Sequence, residues 1–334
     1  MTTVVLNGVS TLPHLGVIRA EGPDAASFLH GQLTQDFSLL GATEARLAAL
    51  CTAKGRVIAS FIGIRPQPEL ILLVCSRDIL AATLKRLSMY VLRAKVKLTD
   101  ATEQFALHGV AGTALTANGL DAALPPGRRT AIGEDISVVS LYPADGVPRA
   151  LWIAPADQKA PVGPTLDAAL WPWSEVRSGI VTLTTPVIEA FVPQMINYES
   201  VGGVNFKKGC YPGQEIVARS QFRGTLKRRT YLAQTDARWP RARRCSRPTT
   251  PNSPWAPWRR PRPRPMAAGR RSSPSRSPRS RPAACTRERP ADRRCRWSRC
   301  PTRCLKTSDF PCVPAFFPGR LALSHRQRHF LRDA

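Results

Sequence analysis

Acidic residues are scarce in this 334-residue chain: 23 Asp and Glu face 49 Lys and Arg, for a formal charge of +26. The scarcity is local. Residues 1–237 hold 19 acidic and 23 basic residues, whereas residues 238–334 hold 4 acidic and 26 basic. The chain is therefore not uniformly basic, and a nucleic-acid reading of the whole is excluded. A near-neutral body long enough for two α+β units precedes a 97-residue segment of another kind. Long apolar runs are missing too. The longest in the body, residues 70–75, is far too short to cross a bilayer. Residues 1–19 show no basic stretch ahead of an apolar one, so no secretory leader is expected, nor a transit peptide. The body has only Cys51, Cys75 and Cys210, too few and too far apart for a disulfide framework or a zinc site. A reducing cytoplasm, no membrane partner and no nucleic acid on the near-neutral body follow as expectations.

The last 97 residues lack lysine almost entirely: 25 of their 26 cations are Arg, and Lys306 is the exception. Arg alternates with Pro over residues 259–265 and with Ser over 271–281. Six of the nine cysteines fall here. Three readings compete. A disordered basic arm would neutralise phosphates, with Trp255 and Trp258 as its aromatics. Cys295, Cys300 and Cys304 would suit a metal cluster. A GC-rich gene read in the wrong frame would give the same composition. The genetic code constrains the third. Each Trp codon, read one base earlier, must end one codon in TG and begin the next with G. On that basis residues 237–260 are compatible with ALAPGAEVFSADDAEQPVGTVAA, an ordinary strand-and-turn sequence. Residues 294–306 are compatible with VPLEPLPYPLP and a stop. The wrong-frame reading places the shift near Asp236.

In the body, residues 15–20, 57–64, 70–75, 95–98, 105–110, 136–142 and 150–153 read as strands. Residues 24–33 read as a helix, with Pro23 near its first turn. Ser76 can cap a second helix, in which Leu80, Leu84, Leu87 and Val91 form one apolar stripe. Residues 166–179 read as a helix interrupted by Pro172. Separate runs of strands and helices predict an α+β fold.

The densest chemistry lies in residues 205–229, NFKKGCYPGQEIVARSQFRGTLKRR. Gly209, Pro212 and Gly213 specify a tight loop, and Gln214 opens a helix with Glu215 in its first turn. Cys210 then sits just before a helix N-terminus, beside Lys207 and Lys208. Both neighbours and helix favour a thiolate, which makes Cys210 the candidate catalytic residue. A small Cys in a turn is the plainer alternative.

Residues 208–219 match KGCYxGQExxAR, and this chain thereby resembles the YgfZ family of folate-binding proteins, relatives of the glycine-cleavage T protein. Residues 22–36, GPDAASFLHGQLTQD, resemble the family's N-terminal element. Lys54-Gly55-Arg56 resembles its KG[RK] turn, and residues 191–197, FVPQMIN, its FxPQxxN segment. The resemblance covers about residues 10 to 234. It implies T-protein-like N-terminal and central α+β domains, 1–100 and 101–237, followed by a β-barrel; in its place residues 238–334 are expected to form a disordered Arg/Pro-rich tail without regular pairing. It implies a monomeric, tetrahydrofolate-binding accessory protein that supports assembly or repair of iron–sulfur client enzymes, including tRNA-modifying ones. Turnover as a folate-dependent aminomethyltransferase is the alternative. Carried over by position, Trp171 would face the pterin, and a second family Trp falls at Leu15. Gln194, Asn197 and Glu215 would present polar edges, and Lys208 and Arg219 would meet the folate's anionic tail. Lys54 and Arg56 read as a solvated turn. His14, His30 and His108 show no ligand spacing and read as structural or exposed.

Overall fold

In the computed structural model, residues 5–224, 226, 228–234 and 296–298 are described. Two antiparallel five-stranded sheets dominate it. The first runs β3 (Ala45–Cys51), β4 (Val57–Gln67), β5 (Leu70–Ser76), β2 (Leu15–Glu21) and β6 (Lys97–Asp100). The second runs β1 (Gly8–Thr11), β7 (Phe105–Ala111), β10 (Val147–Pro155), β9 (Ile136–Ala144) and β8 (Arg129–Ile132). The second sheet draws on both sides of residue 100, because β1 pairs with β7, whereas the first lies wholly within residues 15–100.

The strands read as continuous apolar runs because both faces of each sheet are covered. Side chains alternate in β5: Ile71, Leu73 and Cys75 enter one core, while Leu72 and Val74 enter another. That second core is the layer between the sheets, where Val17 and Ile64 meet Leu107, Val139, Leu151 and Ile153. The outer face of the first sheet is covered by α1 (Ala25–Gln32), through Phe28 and Leu29. Leu183, Ile196, Tyr198, Val204 and Val217 join the same core, so the segment carrying the KGCYPGQE motif folds back onto the first sheet. The outer face of the second sheet buries Val110, Val138 and Trp152 with Leu115 of α3 (Ala114–Ala117).

α2 (Arg77–Ser88) starts after Ser76 as expected, but the Ser76 hydroxyl donates to Asp78 (2.7 Å) and makes no backbone cap. Ile79, Leu80, Thr83 and Leu87 are its buried face, and Val91 lies beyond its end. α4 spans Leu170–Ser178, four residues later than the sequence pattern suggests at its start. The preceding residues pair with β1 instead: Val9 N donates to Pro164 O (2.8 Å) and Leu166 N to Val9 O (2.7 Å). Pro172 does not interrupt α4. It lies in the first turn, where its missing N–H has no intrahelical partner to lose. Gly179, at φ +74°, ends the helix in the left-handed region.

α5 spans Gln214–Phe222, and the chain leaves it for β11 (Leu232–Gln234). The basic-arm, metal-cluster and wrong-frame readings of 238–334 lie outside the described residues, with one exception. β12 (Arg296–Ser298) pairs antiparallel with β11, so at those three residues the expected lack of regular structure does not hold.

Candidate functional site

Four sequence elements converge at the outer face of the first sheet. The 54–56 turn and the loop before α5 dock through glycines. A Cβ placed on Gly213, at φ +82°, would lie 2.3 Å from Thr52 O and 2.8 Å from Gly55 Cα. One on Gly55, at φ +68°, would lie 2.9 Å from Ile216 Cβ. No side chain fits on either surface. The 191–197 segment is stitched to the same turn: Val57 N donates to Phe191 O (2.8 Å) and Arg56 Nη1 to Ala190 O (3.1 Å). Arg56 is thus a strut between two segments rather than the solvated side chain expected. Lys54 is exposed. The 22–36 element joins through Thr34, whose hydroxyl donates to Gly203 O (2.6 Å), while Asn205 N donates to Thr34 O (2.9 Å).

At this junction Lys208 is buried, and its ammonium donates to Gly209 O (3.1 Å) and stands 4.5 Å from the Tyr211 ring centroid. Burial pulls the Lys208 ammonium down to about 8, against the opposing pull of Asp36 and Cys210. The buried Tyr211 hydroxyl has no hydrogen-bond partner among the described residues, and burial pushes its titration up, with Cys51 adding to the effect. His30 Nδ1 lies 3.0 Å from Asp36 Oδ1. Burial alone would raise the Asp36 carboxyl. The Leu39 N–H, His30 and Arg46 outweigh it and hold the carboxyl below its usual range. Cys210 is exposed, in the loop three residues ahead of Gly213, the N-terminal flank of α5. Cys51 and Cys75 are buried, and burial pushes both thiols up to about 12, so neither supplies thiolate at neutral pH.

Trp171 lies elsewhere, in the layer between the sheets. It is 1% exposed, and the Arg149 guanidinium sits 5.1 Å from its ring centroid. A Cβ on Gly109 would come within 2.4 Å of the indole, so glycine is what lets β7 pass against its face. Trp171 lines a cavity of about 50 Å³ with Tyr198, Glu175 and Leu15. Its indole N–H has no partner among the described residues. Leu47, Ile62 and Leu141 wall both this cavity and a cleft of about 520 Å³ that also touches Gln35, Arg46 and Tyr142. That volume lies in the range of small-molecule sites, about 300–1,000 Å³.

The remaining candidates are not gathered at that cleft. Gln194 is fully buried and donates to Val217 O (2.7 Å), tying the 191–197 segment to α5. Asn197, at φ +59°, donates to Thr230 O (2.9 Å) and accepts from Arg229 (3.0 Å). Arg229 also pairs with Glu199. Glu215 and Arg219 lie exposed on α5, with no ion pair between them among the described residues. Sequence reasoning missed Glu175. It lies four residues after Trp171, the spacing that puts two side chains on one helix face, and that spacing was the available signal.

The donor set matches a folate, but the room for its ring lies in the cleft of about 520 Å³ and not in the cavity of about 50 Å³, where Glu175 stands 3.7 Å from His14 Nε2. A reduced pterin offers N–H donors on one edge, an apolar ring face and a distal carboxylate tail. Glu175 supplies a carboxylate acceptor, Trp171 and Tyr198 supply aromatic surface, and Arg46 supplies a cation at the adjoining cleft.

The chain is 34% identical over 233 residues to the tRNA-modifying protein YgfZ of Edwardsiella ictaluri, covering 66% of this chain and 69% of the relative. It is 31% identical over 242 residues to the protein of the same name from Klebsiella pneumoniae, covering 70% and 73%. For that of Colwellia psychrerythraea the identity is 30% over 239 residues, covering 69% and 72%. No family model matches. Among solved structures, the glycine cleavage system aminomethyltransferase T from Bartonella henselae aligns over 64% of this chain and 62% of its own, at 16% identity and TM-score 0.49. That likeness is too slight to carry an argument.

Proposed function

The chain belongs to the YgfZ family, and on that premise we propose that it is a tetrahydrofolate-binding accessory protein that supports assembly or repair of iron–sulfur enzymes, tRNA-modifying ones among them. The observation that carries the folate reading is the pairing of Trp171 with Glu175 on one cavity between the sheets, continuous in its walls with a cleft of about 520 Å³. In this reading Glu175 accepts from the pterin edge and Trp171 gives it an aromatic wall. The relatives' name, tRNA-modifying protein, supports the choice of client. The exposed Cys210, held in a loop fixed by Gly55 and Gly213, is the group available to a protein partner.

Residues 238–334 enter this reading as the product of a shifted frame, standing where the family has its barrel. Gln194, Asn197, Glu215 and Arg219 then act on folate through the segments they tie or the helix face they occupy. Equilibrium dialysis of tetrahydrofolate against the full chain and against Glu175→Ala tests the reading. Saturable binding weakened at least tenfold by the substitution is expected. No saturable binding, or equal affinity for both proteins, overturns it.

A further inference from the structure

α2, the turn that follows it and the edge strand β6 present a surface that the folate reading does not use. From residue 79 to residue 99 the chain has no acidic residue and five cations: Lys85, Arg86, Arg93, Lys95 and Lys97. None of the five forms an ion pair among the described residues. Neighbouring acids are engaged: Glu21, in register with Lys97 on the adjacent strand, pairs with Arg19 (3.0 Å), and Asp100, at the end of β6, accepts from Thr102 N (2.9 Å). Asp24 accepts from the Lys95 backbone N–H (2.7 Å).

Apolar groups interleave with these charges. Met89 is 69% exposed, Tyr90 42% and Leu92 86%, three of the eight exposed large apolar side chains among the described residues. They stand in the turn between the last cations of α2 and those leading into β6. The stretch is contiguous along one margin of the fold: the turn links α2 to β6, the outermost strand of its sheet, where Val96 and Leu98 pack into the core under α2 and the exposed Lys95 and Lys97 alternate to the other side of that edge. Unpaired cations around an exposed aromatic are the composition that binds a phosphate backbone and stacks on an unpaired base. Exposed apolar side chains raise the cost of leaving such a patch uncovered in water.

We propose that residues 85–97 form a docking surface for a structured RNA, with Lys85, Arg86, Arg93, Lys95 and Lys97 meeting phosphates and Tyr90 stacking on a loop base. This surface is separate from Trp171 and Glu175, so loss of folate binding and loss of RNA binding are distinguishable. The surface competes with 26 cations in residues 238–334, so the test must be resolved by site. The full chain is treated with an amine-acylating reagent with and without an unmodified transfer RNA transcript, and Lys85, Lys95 and Lys97 are quantified by peptide mass spectrometry. At least fivefold protection of these three is expected. In parallel, the salt dependence of transcript binding is compared between the full chain and its Arg93→Gln/Lys95→Gln/Lys97→Gln variant. The slope of log affinity against log salt should fall by about two to three, because each phosphate contact contributes about 0.7 to 0.9. Unchanged circular dichroism shows the variant folded, and Tyr90→Ala should weaken binding about fivefold or more without changing the slope. Equal acylation with and without RNA together with an unchanged slope overturns the proposal. So does protection by anionic phosphatidylglycerol vesicles but not by the transcript, which would make the surface a membrane contact.

Discussion

Gly213 and Gly55 meet backbone to backbone: a Cβ on Gly213 would lie 2.8 Å from both the Cα and the N of Gly55. The contact locks the Cys-bearing loop to the turn between β3 and β4. Gly213→Ala adds both a clash with Thr52 O and a side chain at φ +82°. A loss of about 2–4 kcal/mol is expected, read as a drop in urea midpoint with unchanged slope. Stability within about 0.5 kcal/mol of the parent would show that the two segments are not clamped together.

Lys208 gives a pH signature. Its folded-state titration, about 8, lies below that of a free lysine, so between about 8 and 10.5 the unfolded chain binds more protons than the folded one. Stability from this group therefore rises with pH across that window, by up to about 1.4 kcal/mol per pH unit. The raised thiols of Cys51 and Cys75 act in the opposite direction above about 9. The difference between the chain and Lys208→Met isolates the lysine: the gap in urea stability should shift towards the parent as pH rises from 7.5 to 10. A gap that stays constant with pH would mean that the ammonium is not desolvated.

What the sequence made legible follows from which physics is local. The strand of residues 57–64 and that of 70–75 are β-rich runs and read directly, whereas β3 is ARLAALC, an alanine-rich run whose strand pairing comes from its neighbour β4. β1 and β8, four residues each, carry too little pattern to separate from loop. The Cys210 loop was legible because Gly, Pro and Gly at short spacing demand a turn whatever surrounds them. Arg56 and Tyr198 were not, because their roles arise from packing between segments more than 20 residues apart. Pro172 shows the converse error: a helix breaker was recognised, but its place in the first turn depends on where α4 starts, and pairing with β1 decides that.

Cys210 separates a role in chemistry from one in packing. It is exposed, so Cys210→Ala should leave the urea midpoint within about 0.5 kcal/mol of the parent. In cells that depend on this chain, the same substitution should lower the methylthiolated fraction of transfer RNA at least fivefold. Undiminished methylthiolation would remove the thiol from the function.

The wrong-frame reading of residues 238–334 is settled by sequencing the gene across the Asp236 codon. One base inserted or lost there is expected. Restoring the frame should tighten tetrahydrofolate binding, since the cleft gains a wall. An intact frame in the gene would make the basic segment native.

The account stands on Trp171 facing the folate, and fluorescence reports on it. Tetrahydrofolate titrated into the full chain should quench a saturable part of the tryptophan emission. Trp171→Phe keeps an aromatic in the core and should remove that saturable part, while the other six tryptophans continue to emit. Saturable quenching of the same amplitude and affinity in Trp171→Phe would contradict the account, because the folate would then be bound away from the cavity between the sheets.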